Sequence, residues 1–207
     1  MKKAWLVLSL SFMLVLTACS SSGEKSVKTD SSEPASVSES KVSLTDNVAD
    51  LDSENLKAFE SNAQLSDDVY LQCSKHFVNE TAKQLKELKV VNDAIKIEAS
   101  ETAYSKTFQN GVQIICLTSR EDGHNSSFTS VYIPQEHGSE YGDKALETIA
   151  HVYGYSADMK PIFENIEKHA KIGAIVNDDE VEGGYYYTYA FPSDKSPRLD
   201  VTFGREY

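Results

Sequence analysis

Three short stretches hold residue types that could do chemistry. Gly123-His124-Asn125-Ser126-Ser127 sets a histidine beside hydroxyls, the materials of a base and a nucleophile. Glu136-His137-Gly138-Ser139-Glu140-Tyr141-Gly142-Asp143 gathers one histidine with carboxylates, donor types that hold metals. Asn177-Asp178-Asp179-Glu180-Val181-Glu182 offers oxygens of the kind calcium takes. Each has a plainer reading. A nucleophile and its base usually come from separated segments joined by the fold, so neighbours in a polar turn make a poor catalytic pair. The second stretch reads as a solvated loop leading to a helix capped by Asp143, and the third as a charged turn without the alternating Asp/Asn pattern of an EF-hand. Gly-x-Ser-x-Gly and glycine-rich phosphate loops are missing from the sequence. His76, His151 and His169 fall on expected helices with no partner at ligand spacing. The expectation is therefore a non-enzymatic protein with no metal. It reads as a binding or accessory module; the rivals are a cell-envelope hydrolase that gathers His137 with Glu140 or Asp143, and an envelope-assembly factor or inhibitor of another protein.

Two further features concern binding and redox state. Tyr185-Tyr186-Tyr187-Thr188-Tyr189-Ala190-Phe191 reads as a strand with Tyr185, Tyr187, Tyr189 and Phe191 on one face and Tyr186 on the other. Aromatic side chains pack well within sheets. Tyrosine is also enriched where partners meet. Tyr185, Tyr186, Tyr187 and Tyr189 are accordingly the candidate surface for a protein, peptide or glycan. Cys73 lies on a helix stripe and Cys116 on a strand face with Val112 and Ile114, so the two form either a disulfide or separate buried thiols. A bridge would close a loop of about 44 residues and stabilise by about 4 kcal/mol in the chain-entropy model. Without a Cys-x-x-Cys motif, a redox-active pair is not expected.

The third cysteine carries an address. Met1-Lys2-Lys3 precedes an apolar run, Ala4–Leu16. A helix of that length spans about 20 Å, short of the roughly 30 Å hydrocarbon core. Charged start, short apolar stretch and small residues at the end form a secretory signal pattern. The stretch closes on Leu16-Thr17-Ala18-Cys19, which resembles the lipobox of bacterial lipoproteins. The resemblance covers the N-terminus alone. It implies that Cys19 carries a covalent diacylglycerol with acyl chains of the palmitate type, and that residues 1–18 are removed. No other cofactor is implied. More than one acyl chain suffices for stable anchoring, so the expected location is the outer side of the cell membrane. Residues 19–44 follow as the lipidated cysteine and a tether; Ser20–Ser40 is nearly half serine and has no aromatic residue. Such a stretch buries too little apolar surface to offset its chain entropy. A coil of about 25 residues reaches roughly 25–30 Å, and a long polar tether favours a Gram-positive surface.

The body, residues 45–207, must position whatever binds. The chain has 207 residues and a formal charge of -12, which excludes a nucleic-acid binder that needs a basic face. Cleavage before Cys19 removes Lys2 and Lys3 and no acid, taking the charge to -14. Apolar spacing predicts helices over 53–62, from Ser66 to about Lys89, from Asp143 to near Gly154, and around 162–170. Alternation and turn signals predict strands around 95–99, 104–108, 112–118, 128–133, 174–176, 185–191 and 199–203, with Asn110-Gly111 as a hairpin turn. The order is helices, strands, helices, strands: an α+β fold with antiparallel sheet, and a candidate degenerate duplication with halves 45–134 and 143–207. Tandem helix–helix–sheet units also resemble the plan of the β-lactamase inhibitory protein, and a single unit resembles the small outer-membrane assembly lipoproteins. That likeness is architectural and implies no function. Val112–Thr118 is apolar on both faces. A sheet with helices on one side only would leave part of that strand uncovered, and uncovered apolar surface marks contact sites.

Overall fold

A computed structural model describes residues 49–97, 101–194 and 196–207. The signal segment, Cys19 and the tether lie outside the described residues. Asp52 opens α1 (Ser53–Glu60) by accepting the Glu54 N–H at 2.9 Å. The long α2 (Asp67–Leu85) buries Tyr70, Cys73, Phe77, Thr81 and Leu85, one helical stripe with the acids Asp67 and Asp68 at its positive end. It stops at Lys86, which takes the left-handed conformation, a few residues earlier than the apolar spacing suggests.

Four strands follow: β1 (Val90–Ile97), β2 (Glu101–Phe108), β3 (Gln113–Glu121) and β4 (His124–Pro134). The β2–β3 turn falls at Asn110-Gly111, with Gly111 at φ 82°. The β3–β4 turn is Asp122-Gly123, both at positive φ. Asp-Gly is a strong two-residue hairpin signal, so His124 to Ser127 belong to a strand and not, as expected, to the turn. After a single 3₁₀ turn, α3 (Gly138–Val152) and α4 (Lys160–Ala170) precede β5 (Val176–Val181), β6 (Tyr185–Ala190) and β7 (Arg198–Glu206). Two expectations need correction. α3 begins at Gly138, so Asp143 sits inside the helix and is no cap. The acidic stretch Asn177–Val181 is strand β5, paired with β6, and no free loop. Its charges tolerate a strand because it lies at the sheet edge, where side chains stay in water.

All seven strands form one antiparallel sheet, ordered β1-β2-β3-β4-β7-β6-β5. This is the expected α+β class. Each half is a helix pair followed by a meander, and the meanders join at their last strands. The likeness stops at the helices: α2, the second of its pair, packs on β2 and β3, whereas α3, the first of its pair, packs on β7 and β4. Side chains alternate across the central strands, most regularly in β4 and β6. Ile114, Cys116, Val131, Ile133, Val201 and Phe203 are fully buried under α2 and α3. Gly142 lets α3 come close; a Cβ there would stand 2.2 Å from Leu199 and 2.6 Å from the Tyr189 hydroxyl. Among the described residues, no helix is long and apolar enough to cross a membrane.

Candidate binding surface

Strand β6 divides the tyrosines by parity. Tyr185, Tyr187 and Tyr189 turn toward the helices and are buried, Tyr187 and Tyr189 almost completely. These three line no surface, which corrects the expectation that they present one with Tyr186. Their hydroxyls end where helices meet sheet, and each finds a partner, as buried polar groups must. Tyr189 donates to Asp143 Oδ1 at 2.9 Å, Tyr187 to Asp179 Oδ2 at 3.1 Å, and Tyr185 to the Tyr153 carbonyl at 3.2 Å. Burial, followed by the weaker influence of Asp179, pushes the Tyr187 phenol up to about 12. Tyr186 alone points the other way.

That other face carries no helix among the described elements. Strand register sets one row of directly opposed residues across it: Lys96, Ala103, Leu117, Phe128, Gly204, Tyr186 and Glu180. The row is apolar in the middle and charged at its ends. Gly204 is required at its place. A Cβ there would meet the Ser127 carbonyl at 2.3 Å and the Phe128 ring at 2.4 Å. Its absence lets the Phe128 ring stand beside it, 6.4 Å from the Tyr186 ring. Leu117 remains 37% exposed, and Phe128 and Tyr186 are half-buried. The next row is polar at its centre, where Ser130 and Thr202 share a hydrogen bond of 2.7 Å. The outcome is a helix-free sheet face with an apolar bar across it.

No protein-family model, no curated protein and no solved structure matches this chain. The site must be judged on its own chemistry.

The stretches chosen for chemistry are held in structural roles. His124 is exposed, with Nδ1 3.2 Å from both Asn62 Nδ2 and the Tyr207 carbonyl. Ser126 shares its hydrogen bond with Ser119, and Ser127 lies on the opposite face, buried against the Tyr153 hydroxyl at 2.6 Å. No base reaches a nucleophile there. Asn125 is a fully used clamp. Its Nδ2 donates to the Phe59 and Ala63 carbonyls, and its Oδ1 accepts from Tyr70 and Arg120, which ties α1 to the β3–β4 hairpin. His137 meets the Asn110 carbonyl at 3.0 Å. Asp143 is occupied by Tyr189, and Asp179 by Asn165 and Tyr187. Among the described residues, no three of His, Cys, Asp and Glu converge as a metal site. A hollow of about 440 Å³ between the α4–β5 turn and the β6–β7 loop contains Arg198 and Asp200. Their charges already satisfy each other at 3.1 Å, and Arg198 also stacks on Tyr132 at 3.9 Å.

Cys73 and Cys116 are both buried free thiols, so the structure contains no bridge between them. Burial first, then Cys116 and Glu60, pushes the Cys73 thiol up to about 12. Burial also raises Cys116, against hydrogen bonds from Ser127, Thr129 and Tyr153. A thiol held protonated in a dry core is a poor nucleophile.

Proposed function

We propose that this chain is a lipid-anchored, extracytoplasmic binding or accessory module without enzymatic activity, and that the helix-free sheet face is its contact surface. One observation carries the surface: the row Leu117, Phe128, Gly204 and Tyr186 lies across the face that helices leave bare. Exposed apolar area of this kind favours a macromolecular partner, because burying it gains about 25 cal/mol per Å². The anchor rests on Leu16-Thr17-Ala18-Cys19 and on its likeness to the lipobox. The side chains suited to acid–base or metal chemistry are spread over separate elements, and His124, His137, Asp143 and Asp179 are engaged in structural contacts, which favours binding over catalysis. A long serine-rich tether is suited to presenting such a face away from the headgroups.

Two measurements test this. Metabolic labelling with a palmitate analogue should mark the wild type and spare Cys19→Ala, which should pass into the medium; labelling that survives the substitution overturns the anchor. A photo-crosslinker at Tyr186 should capture a defined protein on intact cells, and one at Glu147, exposed on α3, should not. Equal capture at both positions overturns the contact face.

A further inference from the structure

The central row of the helix-free face takes one residue from each of the seven strands: Lys96, Ala103, Leu117, Phe128, Gly204, Tyr186 and Glu180. Turned end for end about Phe128, this row is complementary to itself. Lys96 stands as far from Phe128 as Glu180 does, Ala103 as far as Tyr186, and Leu117 as far as Gly204. A cation is thus matched by an anion, and each small residue by a large one. Ala103 is sunk between its neighbours at 5% exposure, whereas Leu117 is 37% exposed and Tyr186 half-buried.

Sheets stack face to face about 10 Å apart, with strand directions within about 30° of each other. Two copies stacked in this way are related by a two-fold axis that lies between the sheets. With the axis along the row, Lys96 falls on Lys96 and Glu180 on Glu180, and like charges oppose. With the axis along the strands and over Phe128, the second row runs the other way. Lys96 then faces Glu180 of the second copy, Tyr186 faces Ala103, Leu117 faces Gly204, and the two Phe128 rings meet at the axis. Aligned stacking offsets the row ends by roughly 7 Å, which long lysine and glutamate side chains span. The flanking rows agree with this arrangement. Register sets Asp200 opposite Gln113 of the second copy and Glu206 opposite Ser119, so both acids face uncharged donors.

We propose that the partner of this face is a second copy of the same chain, turned end for end about Phe128. The proposal rests on the reading of the face as a contact surface and names its occupant. With strands about 4.8 Å apart the row spans roughly 29 Å, so three rows cover about 600 Å² per copy, the lower end for a specific interface. The formal charge of -12 on each chain opposes association at a distance. The pair is therefore weak in free solution, and is favoured where anchoring to one membrane raises the local concentration.

The test uses the full mature chain with Cys19→Ser, which keeps it in solution. Sedimentation equilibrium from micromolar to millimolar protein should show a reversible monomer–dimer equilibrium. Glu180→Lys alone and Lys96→Glu alone should each weaken it about ten-fold, because each sets like charges together at both ends of the row. An equal mixture of these two variants should restore association, since opposite charges then meet between the copies. Glu147→Lys, on α3, should leave the dimer unchanged. A photo-crosslinker at Tyr186 should join the second copy close to Ala103. The proposal is overturned by a chain that stays monomeric, by a dimer indifferent to both substitutions, by folded variants that fail to associate when mixed, or by a crosslink to another part of the second copy. If either variant fails to fold, the crosslink position decides alone. Capture of a different protein at Tyr186 on intact cells, with no second copy among the products, overturns the self-pairing and spares the contact face. Equal capture at Glu147 overturns the face itself.

Discussion

Phe203 and Phe128 stand on neighbouring strands of one sheet and have opposite fates. Phe203, opposite Thr129, is fully buried beneath the helices, amid Tyr153, Tyr155 and Tyr185. Phe128, opposite Gly204, lies half-buried on the bare face, with Tyr186 as its aromatic neighbour. Strand alternation created both positions. The side on which α2 and α3 pack made one a core residue and left the other half-buried on the uncovered face. Tyr185, Tyr187 and Tyr189 repeat the first case, and Tyr186 the second. An aromatic strand is therefore no binding platform by composition; only the uncovered side chains qualify.

The largest expected effect would break this contrast if it failed. Phe203→Ala should cost about 3–5 kcal/mol, the range for large-to-small changes in a core, whereas Phe128→Ala should cost about 1 kcal/mol. Denaturant unfolding of both variants decides this, and equal losses would mean that both faces are packed alike. Gly204→Ala sharpens the comparison from the backbone side. Its Cβ collides with the Ser127 carbonyl as well as with the Phe128 ring, so the strands must shift at a cost of about 1–3 kcal/mol. A neutral result in thermal unfolding would show that β4 and β7 are not held together so closely. The smallest effect concerns the helix-side margin. Burial raises the Asp143 carboxyl above its ordinary 3.8, with Glu167 adding to the rise and the Tyr189 hydrogen bond opposing it. A raised carboxyl binds its proton more tightly in the folded state. Its stabilising contribution is then full below pH 3.8 and is lost as pH rises through the higher folded value. Asp143→Asn should remove that loss, flattening stability as pH rises above about 4. Unfolding midpoints across this range, compared with the wild type, would reveal an unchanged slope if Asp143 contributed none of it.

Much of the architecture was legible in local pattern. The stripe Val69, Cys73, Phe77 and Leu85 marked α2, and Asn110-Gly111 marked a hairpin, because helical spacing and turn conformation are short-range properties. Asp122-Gly123 carries the same turn signal, and the strand after it begins at His124 because the turn needs only two residues. Residues 177–181 do not read locally as a strand, because carboxylates are poor strand formers unless the strand is an edge, and an edge is defined only by what fails to pair beside it. At the candidate surface, parity identified Tyr186 as different from its neighbours, but not which parity faces water. The role of Gly204 left no local trace, since the atoms that exclude a side chain there belong to Ser127 and Phe128.

The sequence by itself determined the alternation of the apolar strands, the helical stripes, the Asn110-Gly111 turn, and the lipobox-like terminus that suggests where the chain is held. These depend on residues close together along the backbone. Only the tertiary structure decided that the two meanders join into one sheet, that α2 and α3 cover a single face of it, and that β1 and β5 are left as its ends. Those outcomes depend on packing between residues far apart in the chain. They separate a buried tyrosine from a half-buried one, and a paired strand from an edge.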